Sequence, residues 1–363
     1  MSRPLLLVTN HVPPDRVGAL RALNGLEGLE VAIYDGRLHH ATGGVDDPGV
    51  PFRRITQRGA YSLAASGRYR AVIATSAGRL ALPAAYLGAR RAGVPFVYWT
   101  GIWHQVATPA HLAGAPMVRW IESHADAVVA YGPHVADYAR SHGAHNVHVA
   151  PQAVDVSFWA EPVDGSALRE RLGSPGFLLA FAGRDRPGKG LTTALEAWQL
   201  AGVDGLFALA GVDASGPSVA GPAGAESSGA RVKALGMLAP EALRELFAAA
   251  DALVLPSEPT RSFREPWGLV ANEAMLQGTP VIATGAVGAA AGGLVRDGDT
   301  GLVVAAGEAR MLAAAIGRLA ADPELRAEQS ERGRTAALAH DFEAWARAFS
   351  RALESAGARR PSC

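Results

Sequence analysis

Cysteine is almost missing from this sequence: the only one is Cys363, at the last position. Disulfides within the chain are excluded, a cysteine-based metal site has no ligands, and a reducing, cytoplasmic compartment fits. Long apolar runs are missing too. The amino end, MSRPLLLVTNHVPPD, holds an apolar core too short for a secretory leader, and no stretch approaches the roughly 18 residues of a membrane span. Net charge is also missing. Lys plus Arg and Asp plus Glu both total 34, which gives nucleic acid no support as a partner. Acidic residues are absent from one long tract: between Pro48 and Ile121 stand nine arginines and no Asp or Glu. Such a tract suits either a solvated face or an anionic partner, such as a phosphorylated lipid or the inner face of a membrane.

What is present is enough for two domains: 363 residues, 49% of them hydrophobic. Short β-rich runs alternate with longer segments of helical period, the pattern of βα units around a parallel sheet. The expected strands are residues 4–10, 29–35, 71–76, 95–100, 127–132 and 146–151, then 177–183, 206–211, 230–236, 252–257, 280–284 and 301–304. Two sets of six predict two doubly wound α/β, Rossmann-like domains, at 1–151 and 167–340. A Pro-, Asp- and Gly-rich linker at 152–166 joins them, and a helix and tail close the chain at 341–363. The cleft between such domains is the default binding site. Residues 211–230 are low in complexity and read as a mobile loop.

Two stretches carry chemistry. In REPWGLVANEAMLQGTPVIAT, residues 264–284, good helix formers run from Gly268 to the stop at Gly278. A helix beginning near Trp267 and Gly268, at the carboxyl end of a parallel sheet, would turn its unpaired N–H groups toward a phosphate. Glu273, placed on its second turn, suits a ribose diol, and Glu265 lies on the loop before it. The second stretch, FLLAFAGRDRPGKGLTTALEAW, is a strand, a turn with Arg184, Arg186 and Lys189, and a helix starting near Gly190. Cations between a strand and a helix N-terminus make a diphosphate clamp. The turn fits neither the Walker pattern nor the dinucleotide fingerprint.

GRDRPGKGL, ALAG, ALGML, PEALRELFAAADALVLPSEPTRSFREPWGLVANEAMLQGTPVIAT and LVRDGDTGLVV, in this order over residues 177–305, resemble the donor-binding domain of family 4 glycosyltransferases. The most specific piece is the pair Glu265 and Glu273 with seven residues between them. The resemblance implies a GT-B architecture, with two domains facing across a cleft and the C-terminal helix returning to the N-terminal, acceptor-binding domain. It implies retaining transfer of a sugar from a nucleoside diphosphate to a sugar, lipid or small-molecule acceptor. It also implies a front-face mechanism with no metal and no cofactor. Arg184 and Lys189 would hold the diphosphate, where Gly183 lets backbone approach. Glu273 would take the ribose, and Glu265 with the backbone of Pro266, Trp267, Gly268 and Leu269 the sugar and its phosphates. Gly236 and Met237 would border the nucleobase.

The match departs from the family in three places. The loop after the first strand, NHVPPDRVGAL, has only Gly18 where members often carry a Gly-Gly pair. His104 comes a few residues later than the family's histidine beside the donor sugar, and either serves that role from its loop or is a plain loop histidine. The linker has Gln152 and Ala153 in place of Asn and Gly. His142, His145 and His148 precede a strand, where helical spacing fails, so no metal site is expected there. Tyr98, Trp99, Trp103 and Trp120 offer either a stacking surface for a sugar or core packing, and Tyr98 and Trp99 should point to opposite faces of a strand. Two rival readings stand beside the transferase. An NAD-dependent dehydrogenase lacks its glycine-rich turn here. A nucleotide-sugar-binding scaffold without transfer would keep Arg184, Lys189, Glu265 and Glu273.

Overall fold

The computed structural model describes residues 3–34, 44–215 and 230–358. Most of the segment read as a mobile loop, residues 216–229, lies outside them. The chain divides into two compact units, Met1–Asp155 with Asp341–Cys363, and Val156–His340.

In the first unit the chain runs β1 (Leu5–Thr9), α1 (Val17–Glu27), β2 (Leu29–Tyr34), β3 (Phe52–Ile55), α2 (Gly59–Ala64), β4 (Ala71–Thr75), α3 (Ala81–Ala92), β5 (Phe96–Thr100), α4 (Pro109–His124), β6 (Ala127–Ala130), α5 (Pro133–Ser141) and β7 (Val147–Val149). The strands form one sheet in the order β3-β2-β1-β4-β5-β6-β7, every pair parallel. A parallel sheet is covered on both faces, which is why its central strands read as unbroken apolar runs. Tyr98 and Trp99 do point to opposite faces: Tyr98 packs among α2 and α3 residues, Trp99 among those of α1 and the C-terminal helix.

The second unit runs α6 (Val156–Trp159), α7 (Ser166–Arg171), β8 (Phe177–Ala182), α8 (Leu191–Ala201), β9 (Gly205–Ala210), β10 (Ala230–Gly236), α9 (Pro240–Ala249), β11 (Ala252–Leu255), α10 (Val270–Leu276), β12 (Val281–Thr284), α11 (Gly288–Ala291), β13 (Gly301–Val304), α12 (Ala309–Ala321) and α13 (Pro323–Leu338). Its parallel sheet has the order β10-β9-β8-β11-β12-β13. The chain then returns to the first unit as α14 (Phe342–Ser355).

Helix α14 buries Trp345, Ala346, Phe349, Ala352 and Leu353 along one stripe against the first sheet's core. It starts at Asp341, whose carboxylate caps the Ala344 N–H. Gly18 explains why the two helices fit. A Cβ there would stand 2.0 Å from the Phe342 ring, so this glycine admits α14 against α1. Above the contact lies Arg16, a buried guanidinium that donates to Gln152. Its Cζ sits 5.1 Å from the Trp99 ring centre and 5.8 Å from those of Tyr131 and Trp345, a cation held by aromatic faces.

Strand β3 was not expected. It is the edge strand, its sequence Phe-Arg-Arg-Ile alternates exposed and half-buried positions, and it lacks the apolar run that marks a central strand. Part of the arginine tract is paired in the fold. Arg53 and Arg68 pair with Glu30, Arg54 with Asp46, Arg70 with Glu27 and Arg90 with Asp126, all acids from outside the tract. Folding therefore neutralises much of what looked like a basic face.

Among the described residues of this unit two acids are buried, Glu30, which Arg53 and Arg68 pair, and Glu122. Glu122 of α4 has His142 Nδ1 at 3.3 Å, with Arg119, Tyr98 and Tyr138 also around the pair. Burial raises its carboxyl to about 7, while burial lowers His142. The folded protein then holds the Glu122 proton more tightly than the unfolded chain. The stability this gives is present below the ordinary carboxylate range and is lost as pH rises toward 7. Glu122→Gln removes that titration, so between about pH 5 and about pH 8 its unfolding free energy should gain about 2 kcal/mol on the wild type. Urea unfolding at the two pH values measures the gain, and parallel pH profiles would refute the assignment.

Candidate functional site

Every strand of a parallel sheet leaves at the same edge, and a crevice opens where the strand order reverses. In the second unit the reversal falls between β8 and β11. The loop after β8 is the turn Gly183–Gly190, and the loop after β11 runs from Pro256 to Glu265. The two are pressed together. Glu258 N donates to Gly188 O at 2.9 Å. Gly190, at φ +67°, lies so close that a Cβ would stand 1.9 Å from Pro256 O. Across this contact Lys189 Nζ forms an ion pair with Glu265 Oε2. Ser257 Oγ donates to the same oxygen at 3.3 Å, and Lys189 Nζ lies 5.7 Å from the Phe263 ring centre. Both partners are largely withdrawn from water, with side chains 30% and 12% exposed. Helix α8 starts at once, with Gly190 at its N-cap and no side chain capping it. The structure thus brings together Lys189 and Glu265, residues 76 positions apart, beside the positive end of a helix.

Next to this pair the floor of the edge is glycine. Gly183 N donates to Ala210 O and Gly211 N to Gly236 O, at 3.0 and 2.7 Å. A Cβ on Gly211 would meet Gly183 O at 2.6 Å. Gly183 and Gly236, from different strands, are therefore joined through Gly211. Met237 follows them with its side chain 67% exposed at this rim.

Beyond Glu265 the expectation needs correcting. Helix α10 begins at Val270 behind an N-cap Leu269, two residues later than the sequence suggested, and has seven residues. The reason lies in Gly268, whose φ of +91° cannot belong to a helix. Glu273 consequently sits in the first turn, where it is buried. The Trp267 side chain is in the core, 3% exposed, with Nε1 donating to Asn272 Oδ1 at 2.8 Å. Backbone holds this segment in place: Gly288 N donates to Glu265 O at 3.1 Å and Ala289 N to Trp267 O at 2.7 Å. Pro266 is just as tightly confined, since a Cβ on Gly288 would stand 2.0 Å from Pro266 O.

Comparison with known proteins bears on the same region. The family model described as "Glycosyl transferases group 1" matches residues 168–336. A D-inositol 3-phosphate glycosyltransferase of Xylanimonas cellulosilytica is 30% identical over 304 residues, covering 77% of this chain and 70% of that protein. The chain belongs to this glycosyltransferase family. A protein of the same name from Acidothermus cellulolyticus is 35% identical over 201 residues, which take in 50% of this chain and 42% of that protein. Two solved structures share the fold. Anabaena Alr3699/HepE in complex with UDP has a TM-score of 0.77 at 22% identity, over 97% of this chain and all of that one. Sucrose-phosphate synthase from Thermosynechococcus elongatus has a TM-score of 0.72 at 22% identity, over 97% and 98% of the two chains. The glycosyltransferase fold here is the GT-B one, two Rossmann-like units each on a parallel sheet.

The remaining expected residues of the glycosyltransferase are dispersed. Arg184 lies half-buried in the turn after β8. His104 stands in the first unit, past β5, next to Trp103, whose ring meets His134 edge-on at 4.6 Å. His142 turns to Glu122, whereas His148 Nε2 lies 2.9 Å from Asn146 Oδ1 and 2.7 Å from Ser355 Oγ. Among the described residues no three metal-ligating side chains gather. The sequence holds one Asp-x-Asp triplet, Asp297-Gly298-Asp299, which the family reading passed over. It precedes β13, at the amino edge of the sheet. Asp297 Oδ1 accepts from Val303 N, and Asp299 pairs with Arg296 and Arg332. Of the four aromatics, Tyr98, Trp99 and Trp103 are buried and Trp120 is 50% exposed. Sequence reading singled out none of Ser257, Glu258 and Phe263, although they stand within the family-like stretch; the contact of the two loops brings them out.

That contact can be tested with two glycines of one helix. Gly190→Ala meets both a left-handed backbone and Pro256, whereas Gly202, at φ +59° beyond the other end of α8, has open space around it. Gly202→Ala should cost about 1 kcal/mol and Gly190→Ala about 3 kcal/mol. Chemical denaturation measures both, and equal costs would mean that the loops are not pressed together.

Proposed function

We propose that this protein transfers a sugar, with retention of configuration, from a nucleoside diphosphate donor to a hydroxyl acceptor. The single observation that carries the reading is the Lys189–Glu265 pair at the β8/β11 reversal, beside the N-terminus of α8, whose N-cap is Gly190. An ammonium has three N–H donors, so Lys189 can hold Glu265 and a phosphate oxygen together. On this reading Arg184 and Lys189 bind the diphosphate and Gly183 lets it approach the backbone. Gly236 and Met237 border the base, Glu273 takes the ribose, and Glu265 with residues 266–269 faces the sugar. His104 is assigned to the donor sugar.

In the front-face step the bond from the anomeric carbon to the phosphate oxygen breaks, and the acceptor oxygen bonds to the same face. The acceptor proton passes to the departing phosphate oxygen. Negative charge grows on the diphosphate as it leaves, and the cations of the turn meet it there. The charge stabilisation this needs is supplied by the chain's own side chains, so the reading calls for no metal or cofactor. The names of the relatives and the UDP of the solved neighbour make a UDP-sugar with a phosphorylated cyclitol the first pair to assay.

A panel of nucleotide sugars, with nucleoside diphosphate release as readout, tests the donor reading. Arg184→Ala should lower kcat about 100-fold or more with an unchanged unfolding midpoint. Lys189→Ala should fall as far, with a stability cost of about 1 kcal/mol because Glu265 loses its ammonium and keeps Ser257. Loss of stability without loss of turnover would sink the assignment, and donor binding without transfer to any acceptor would leave a nucleotide-sugar-binding protein.

A second reading, contact with an anionic membrane, rests on α4. Its outer face shows Leu112, Met117 and Trp120 at 51%, 40% and 50% exposure. Arg119 is exposed on the same helix, and Arg91 on α3 beside it. An apolar face flanked by cations and bearing tryptophan suits the interface of an anionic bilayer. Among the described residues no helix is long and apolar enough to cross a membrane. The protein should float with phosphatidylglycerol vesicles, less so at high salt and less so as Trp120→Ala. Flotation equal with neutral lipid, or none, removes this reading.

A further inference from the structure

The turn Gly183–Gly190 contains two left-handed glycines, Gly188 at φ +89° and Gly190 at φ +67°, and a turn bond from Lys189 N to Arg186 O at 3.0 Å. Glycine widens the conformations a free loop can visit, so fixing such a turn around a ligand is costly unless something outside has already fixed it. Here something has. The β11 loop folds back onto the turn at three points. Glu258 N donates to Gly188 O at 2.9 Å. The Thr193 hydroxyl, in the first turn of α8, donates to Glu258 Oε1. Phe263 covers Gly188 so closely that a Cβ there would be 2.7 Å from its ring, and the same ring lies under Lys189 Nζ. The loop is itself set by Thr260, whose N donates to Phe263 O at 2.8 Å and whose Oγ1 accepts from Phe263 N at 2.9 Å.

Resting on the donor reading above, we infer that Glu258 is a positioning residue: with Thr193 and Phe263 it braces the diphosphate turn in its binding shape before the donor arrives. The turn and the helix start that follows it are tied by one carboxylate, through its own backbone N–H to Gly188 and its side chain to Thr193. The function of Glu258 is therefore carried by hydrogen-bond acceptance at Oε1 and not by charge. Glutamine can replace it and alanine cannot. The brace acts on the phosphates alone, because the glycine floor at Gly211 and Gly236 lies on neighbouring strands with bonds of its own.

The experiment is titration of the full chain with UDP, GDP and ADP and with their parent nucleosides, taking the diphosphate that binds. Glu258→Ala should weaken it about 10-fold and leave its nucleoside unchanged. Glu258→Gln should stay within about 2-fold of the wild type. Thr193→Val should match Glu258→Ala, and the double variant should be no worse than either, as one shared bond requires. The Thr193 and glutamine variants carry the test should Glu258→Ala fail to fold. Wild-type binding of the diphosphate by Thr193→Val, additive losses in the double variant, or equal losses of diphosphate and nucleoside would overturn the brace. A wild-type protein that binds none of the three diphosphates would overturn the donor reading and the brace with it.

Discussion

Among the described residues both sheets are parallel throughout, so within each sheet every strand hands its chain to the following loop at the same edge. Short loops at that edge lie side by side unless the order of strands reverses, and only there is a crevice left open. In the second unit the reversal separates β8 from β11. The glycines of the turn after β8 then allow backbone to come within contact of Pro256 and Glu258. Residues up to 76 positions apart meet there because of topology, not because of any local preference.

Charge is organised by the same geometry. Lys189 and Glu265 face one another where two loops and a helix start converge, withdrawn from water but not sealed. Elsewhere the chain uses its charges to close itself. Five arginines of the acid-free tract reach acids from outside it, and Asp297 and Asp299 are bound to Val303 and to Arg296 and Arg332 at the opposite edge of their sheet. A block of like charge in sequence is thus no evidence of a like-charged surface. A pair of acids with ligand spacing is likewise no evidence of a ligand site.

Much of the fold was legible. Twelve strands are where the alternation of β-rich and helical segments places them, and the central ones are apolar along their length because both their faces are covered. The edge strand β3 was not, since Arg53 and Arg54 replace the run that betrays a buried strand. Trp267, expected at the helix start, has its side chain in the core, and the helix after it starts late because Gly268 takes a left-handed conformation. Gly18 was sought as a point of backbone approach to a ligand, yet it admits Phe342 of α14.

The sequence by itself determined the α/β class and the two parallel sheets, and it singled out Arg184, Lys189, Glu265 and Glu273 as candidates. It could do so because hydrophobic period and residue type are local properties. Only the tertiary structure decided that Lys189 rests on Glu265, that Gly183, Gly211 and Gly236 form one floor, and that Glu258 and Phe263 hold the turn between them. These are contacts across crossover connections, and no period or spacing in the chain encodes how far such a connection carries the next loop.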